Sequence, residues 1–193
     1  MQTQIFNQSP LVTVFDDFLD IETCKKFVDY PWGWQSSTGY DHATNTAKPT
    51  AHRTSSTVYI YEDRMFIDFV QYTKAKISQT LRVRSQRFEF LQMQRYHVGE
   101  TYKHHHDYFF TGPELTNNRV GTLIIYLNDD FKGGGTTFHR LGVTCLPKTG
   151  RALYFQYNYD ADTNLLTEHS GEPILEGSKY IVTAWFRNGN WRL

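Results

Sequence analysis

Net charge, cysteine and long apolar runs are all scarce in this chain of 193 residues. Acidic and basic side chains number 20 each, so the formal net charge is zero, and no polybasic tract stands out. A protein that holds nucleic acid or an anionic membrane through its overall field needs such an excess. Neither partner is therefore expected. No stretch approaches the roughly 20 apolar residues that cross a bilayer. The opening Met1-Gln2-Thr3-Gln4-Ile5-Phe6 lacks a basic start followed by an apolar run, so no signal peptide is read and a cytoplasmic location is expected. Cys24 and Cys145 lie far apart and form no metal-spaced pair. They read as buried, reduced thiols, neither ligands nor nucleophiles. Repeats and long linkers are missing too, and the length fits one domain spanning residues 1–193.

What is present is aromatic and apolar. With 14 Phe, 13 Tyr and a hydrophobic share of 39%, the chain can build a core and is not disordered. Its first part, about 15–82, reads as helical. Asp20 caps a helix that carries Cys24, Phe27 and Val28 on one side and stops before Pro31. A second helix starts near Asp63, with Phe66, Phe69, Val70, Thr73 and Ile77 forming one buried stripe. Between them, residues 39–56 are rich in Thr, Ser, Asn and His, which suits a mobile surface loop and a lid over a site.

From Phe88 the texture changes. Short β-rich runs at 88–96, 120–127, 136–138, 152–157 and 179–186 are separated by turn signals such as Val98-Gly99, Gly133-Gly134-Gly135 and Glu176-Gly177. The expected fold is mostly β with flanking helices. It is a double-stranded β-helix (a cupin-like jelly roll) with its core at about 87–187 and the N-terminal helices packed outside. The interior of such a fold can hold a ligand, so inward polar residues become informative.

The segment Tyr102-Lys103-His104-His105-His106-Asp107-Tyr108 gathers imidazoles and a carboxylate. Residues two apart on a strand share a face, so His105 and Asp107 can project together while His104 and His106 face the other way. His169 is the best candidate for a third ligand. Two His and one carboxylate on one face of an iron leave three open positions, enough for a bidentate 2-oxo acid and dioxygen. A four-ligand structural zinc site has no such vacancy. Taken alone, the cluster also fits a solvated polar tract or an incidental metal-scavenging patch. His42, His52, His97 and His139 read as surface or loop residues.

Ten residues after His169, the run Lys179–Phe186 opens with a lysine. Alternation sets Lys179, Ile181, Thr183 and Trp185 on one face, and Thr122, Ile124 and Tyr126 on one face of their own strand. A lysine turned inward is costly unless its charge is paired, and a ligand carboxylate would pair it. The other reading is a lysine at a strand edge with its amine in water.

These residues resemble the prolyl 4-hydroxylase branch of the 2-oxoglutarate and Fe(II) dioxygenases. The likeness rests on Tyr96, Gly99, Tyr102 and His105-His106-Asp107, on the middle stretch from Asn118 to Asn128, and on Gly133-Gly134-Gly135-Thr136-Thr137-Phe138. It closes on His169-Ser170-Gly171 and Gly177-Ser178-Lys179, and it covers about Phe15 to Arg187. It implies that His105, Asp107 and His169 bind iron. Lys179 and Thr122 would hold the distal carboxylate of 2-oxoglutarate, with Tyr96 near its other end. Tyr102 and Trp185 would line the reaction pocket, and Glu89 and Arg119 would contact a peptide. Gly135 stands where the family often has Glu. The implied reaction is hydroxylation of a peptidyl proline at ring carbon 4, with oxidative decarboxylation of 2-oxoglutarate to succinate and carbon dioxide and with ascorbate as activator. A related dioxygenase acting on a free amino acid or other small molecule is the alternative, because function lies in the pocket rather than the fold. A non-catalytic, cupin-like metal-binding module is the lesser one.

Overall fold

The structure, a computed structural model, describes residues 1–41, 46–49, 51–61, 64, 66–157 and 159–191, of which 39–41 and 46–49 through the backbone alone. Strands β1 (Gln2–Gln8) and β2 (Leu11–Asp16) form a hairpin that leads into helix α1 (Ile21–Asp29). The short β3 (Gln35–Ser36), the hairpin of β4 (Thr38–Asp41) and β5 (Thr46–Pro49), and then β6 (Ser56–Ile60) precede α2 (Asp68–Leu81). After it run β7 (Leu91–Tyr96), β8 (Tyr102–His105), β9 (Arg119–Tyr126) and β10 (Lys132–Gly133). β11 (Thr136–Phe138), β12 (Val143–Cys145), β13 (Ala152–Gln156) and the short helix α3 (Ala161–Leu165) follow. The chain closes with β14 (His169–Gly171), β15 (Ile174–Glu176) and β16 (Lys179–Arg187).

Eight strands make the larger sheet, in the order β1-β2-β13-β9-β16-β7-β6-β3, and β12-β11-β14-β8 make a smaller one. The jelly roll is present, and its interior explains the strand pattern. On the outer face Leu91, Met93, Leu123, Ile125, Val182, Ala184 and Phe186 form one core with Phe18, Phe27, Val70 and Ile77. On the inner face Tyr96, Ile124, Tyr126 and Ile181 form a second core with Phe138, Phe155 and Ile174. One strand therefore serves two cores, one residue to each in turn.

The helices follow local rules. Asp20 caps α1: its Oδ1 accepts from the Thr23 N–H at 2.7 Å, a contact generally worth about 1 kcal/mol. Lys25–Asp29 and Glu22–Lys26 pairs span its outer face, and Cys24 and Phe27 are buried. On α2, Val70, Thr73 and Ile77 are buried as expected. Phe66 is not part of that stripe, since it precedes the helix and is 78% exposed. Asp63, the expected helix start, lies outside the described residues, as does His42.

The expected helical first part needs a larger correction. Within that range the chain also forms β3 and β6, which belong to the larger sheet, and the paired β4 and β5. Tertiary pairing with β7 decides the state of β6, because its own alternation is weak. The stretch at 39–56 also differs from a free loop. β4 and β5 pair with each other, residues 42–45 and 50 lie outside the described residues, and the segment at 52–54 is pinned beside β8 by Lys103 N–H to His52 O, Thr54 N–H to Thr101 O, and an Arg53–Tyr102 bridge. Cys24 and Cys145 are free and buried. No helix among the described residues is long and apolar enough to cross a membrane.

Candidate metal and cosubstrate site

β8 and β14 are neighbours in the smaller sheet, in a register that sets His105 across from His169. The two rings lie 4.2 Å apart. β8 stops at His105, so strand alternation does not deliver Asp107; the chain leaves the sheet and the carboxylate returns. Asp107 Oδ1 lies 3.8 Å from His105 Nε2, and Oδ2 lies 3.9 Å from His169 Nε2. All three ligand atoms fall within 4.8 Å of one another.

Neighbouring groups set the protonation of all three. His105 Nδ1 donates to the Lys103 carbonyl at 2.8 Å, and His169 Nδ1 to the Thr167 carbonyl at 2.9 Å. A carbonyl only accepts, so each Nδ1 carries the hydrogen and each Nε2 keeps its lone pair. Burial lowers the pKa of both imidazoles and keeps them neutral. For Asp107, burial works toward protonation, but the two histidines (cationic at the acid pH where Asp107 would titrate), Arg119 and the Thr122 hydroxyl outweigh it and hold the pKa near 2. Two neutral imidazoles and one carboxylate, closed off on one side, are a donor set that fits Fe(II).

The same pocket reaches from this triad to Lys179. Lys179 is 3% exposed. Its ammonium donates to the Gly134 carbonyl at 2.6 Å and lies 5.4 Å from the ring centres of Tyr96 and Tyr126. No carboxylate among the described residues pairs with it, and burial pulls its pKa down to about 8. A buried cation without a directly paired carboxylate, at the end of a pocket, fits an acidic ligand such as the distal carboxylate of 2-oxoglutarate. The glycines shape this end. Gly133 and Gly134 have φ of +81° and +69°, and a Cβ on Gly133 would come within 2.3 Å of the Pro173 carbonyl. At Gly135, where the family often has Glu, a Cβ would meet Thr144 Cγ2 on β12 at 3.0 Å.

Several expected residues stand elsewhere than expected. Thr122 is fully buried and donates to Asp107 Oδ2 at 2.7 Å, with the Tyr157 hydroxyl on its other side. It steadies the triad's carboxylate and does not reach the lysine end. Tyr96 pairs in register with Lys179, so it stands beside the ammonium rather than at the opposite end. Glu89 and Arg119 are bound to each other through two hydrogen bonds, of 2.7 and 2.8 Å, and Arg187 adds a third at 2.6 Å. Arg119 also lies 4.1 Å over the Trp185 ring. The pair stands beside Trp185 at the pocket wall, with the Glu89 carboxylate already bound to two arginines. Tyr102 and Trp185 do line the pocket. Tyr102 stacks on His105 at 3.5 Å, and burial lifts its phenol to about 12. The Trp185 N–H is buried without a partner among the described residues.

Arg53 was invisible in the sequence. It lines the pocket, is buried, and reaches Ser55, Thr57 and Gln92. Gln94 and Thr183 complete a polar wall, joined by a 2.8 Å hydrogen bond. One arginine inside a polar stretch carries no local signal; only its β-bridge to Tyr102 turns it inward.

The sequence profile of the 2OG-Fe(II) oxygenase superfamily matches residues 91–187, half of the chain. Prolyl 4-hydroxylase 1 of Arabidopsis thaliana is 29% identical over 205 residues, a match covering 97% of this chain and 72% of that one. Prolyl 4-hydroxylase 5 of the same plant is 28% identical, with 95% and 70% covered. Among solved structures, the viral collagen prolyl hydroxylase of Paramecium Bursaria Chlorella virus-1, a 2OG complex, superposes with a TM-score of 0.67 at 24% identity. That alignment covers 91% of this chain and 95% of that one. A prolyl hydroxylase from Trichoplax adhaerens, bound to a hypoxia inducible factor peptide fragment, gives 0.68 at 17% identity, with 94% and 84% covered. These two likenesses show the fold. Profile, relatives and the converging triad agree that the chain belongs to the 2OG-Fe(II) oxygenase superfamily.

Proposed function

We propose that this protein hydroxylates proline in a peptide or protein at ring carbon 4. His105, Asp107 and His169 hold Fe(II), and Lys179 holds the distal carboxylate of 2-oxoglutarate. The observation that carries this is one pocket with a ligand-ready triad at one end and an unpaired, buried ammonium at the other. When bound, iron and 2-oxoglutarate supply the oxidising chemistry: dioxygen is consumed, the oxo acid leaves as succinate and carbon dioxide, and one oxygen atom enters the substrate's C–H bond.

This chain's own groups do the rest. The Nδ1–carbonyl bonds aim both imidazoles, and Thr122 and Tyr157 fix Asp107. Lys179, flanked by Tyr96 and Tyr126, orients the acid from its far end. Tyr102 stays a neutral phenol at working pH and lies flat against His105. Trp185, braced by Arg119, offers its unpaired N–H at the pocket wall. The proline substrate is supported by the named relatives. We read residues 1–193 as one catalytic domain, since strands from both ends of the chain share the larger sheet.

The test is mass spectrometry of proline-containing peptides incubated with the protein, iron, 2-oxoglutarate and ascorbate. A gain of one oxygen on proline, matched by succinate, is expected. Succinate formed only with free amino acids or other small molecules would replace this reading with the small-molecule one.

A further inference from the structure

The inner face of the larger sheet continues past the pocket wall. Thr183, on that wall, is paired in register with Gln92 on β7, and Gln92 with Tyr59 on β6. Residues directly opposite each other on antiparallel strands share a face. Tyr59 thus lies on the pocket's face, two strands out, or about 10 Å at the usual strand spacing.

There the surface is aromatic. Tyr59 and Tyr61 stack with centres 5.8 Å apart and ring planes at 18°. Tyr61 meets the edge of Phe90 at 5.0 Å, and Phe90 meets Trp191 at 4.8 Å. The row is not sealed: Tyr59 is 38% exposed and Tyr61 is 52% exposed. β3 pairs with β6 only at Ser56 and Thr57, so nothing in that sheet covers Tyr59. Rings meeting edge to face leave separate apolar faces, and none of these four residues carries a charge.

We infer that Tyr59, Tyr61, Phe90 and Trp191 form a docking shelf for the part of a proline-rich peptide that flanks the hydroxylated residue. The inference rests on the peptidyl-proline reading above. Its ground is the shelf's continuity with the pocket face through the Thr183–Gln92–Tyr59 row. Its chemistry is that of polyproline recognition: a preformed extended helix lays its rings on aromatic faces and loses little conformational freedom in doing so. The spacing agrees, since such a helix rises about 3.1 Å per residue with three residues per turn. A proline three positions from the target would point the same way and land roughly 9 Å along, on Tyr59 and Tyr61.

The experiment uses two pairs of fluorescent peptides that carry proline or alanine three positions before, or three positions after, the target proline. Fluorescence anisotropy gives binding and peptide hydroxylation gives KM and kcat, for the wild type and for the Tyr59→Ser/Tyr61→Ser variant. With the target ring held at the triad, one flank of the peptide lies over the shelf, so a preference for proline of about tenfold in Kd and KM is expected on one side of the target. In the double variant the preference should vanish, while KM for 2-oxoglutarate and kcat on the alanine peptide stay unchanged; Tyr59→Phe should keep it. A preference that survives in the double variant, or a wild type with none on either side, overturns the shelf. Shelf-dependent binding without hydroxylation keeps the shelf and overturns the peptidyl-proline reading. No binding of any proline peptide removes both.

Discussion

The two ends of the pocket are built on opposite principles. At the triad, every polar atom has its hydrogen placed before a ligand arrives: both Nδ1 atoms are tied to carbonyls and Asp107 to Thr122. At the far end a single ammonium is buried on one backbone carbonyl, with no carboxylate among the described residues within ion-pair distance and only the more distant charge of Glu172. The first end is preorganised, so that geometry is settled when the metal binds. The second is electrostatically incomplete, so a carboxylate gains an interaction that the free protein lacks. Metal binding and cosubstrate binding should therefore fail separately when each end is damaged.

The largest separation is expected from Asp107→Ala. It removes the one anionic ligand and should abolish both turnover and retained iron, read by succinate release and metal analysis, with the fold kept by circular dichroism. Lys179→Ala should do the opposite. KM for 2-oxoglutarate is expected to rise about tenfold to a hundredfold, the worth of a charged hydrogen bond, while iron affinity stays constant by titration. Equal losses of both would break the comparison.

Thr122→Val tests the positioning of Asp107 without touching a ligand. Metal affinity should weaken roughly tenfold to a hundredfold, Thr122→Ser should recover most of it, and KM for 2-oxoglutarate should hardly move. A large rise in that KM instead would return Thr122 to the cosubstrate.

The smallest effect is a pH dependence confined to the lysine end. With its pKa near 8, Lys179 is an ammonium below that pH and a neutral amine above it. A bound carboxylate raises that pKa, so binding above pH 8 must take up a proton. Affinity for 2-oxoglutarate should be flat below about pH 8 and fall by up to tenfold per unit above it. Stability without 2-oxoglutarate runs the other way. The unfolded lysine keeps its ordinary pKa of 10.5, so it binds more protons than the folded one between about 8 and 10.5, and this group's contribution to stability rises through that window. Lys179→Met should remove both trends, measured by calorimetric titration and by thermal melts.

What the chain spelled out locally was legible in it. Asp20 as a cap, the buried stripe of Val70, Thr73 and Ile77, and the inward parity of Lys179 and Trp185 need only neighbours in sequence, because capping and periodicity are short-range. The residues of the triad could be named from the His-x-Asp motif and one distant histidine, but their convergence came from β8–β14 pairing and from the chain turning back after β8. Tertiary structure alone decided the rest. Strands β3 and β6 exist through their partners; Thr122 turned out to serve Asp107 because β9 runs behind the triad; Arg53 entered the pocket only when its segment bridged to Tyr102. A side chain's partner is set by which strands lie next to each other, and that depends on long-range pairing no local pattern encodes.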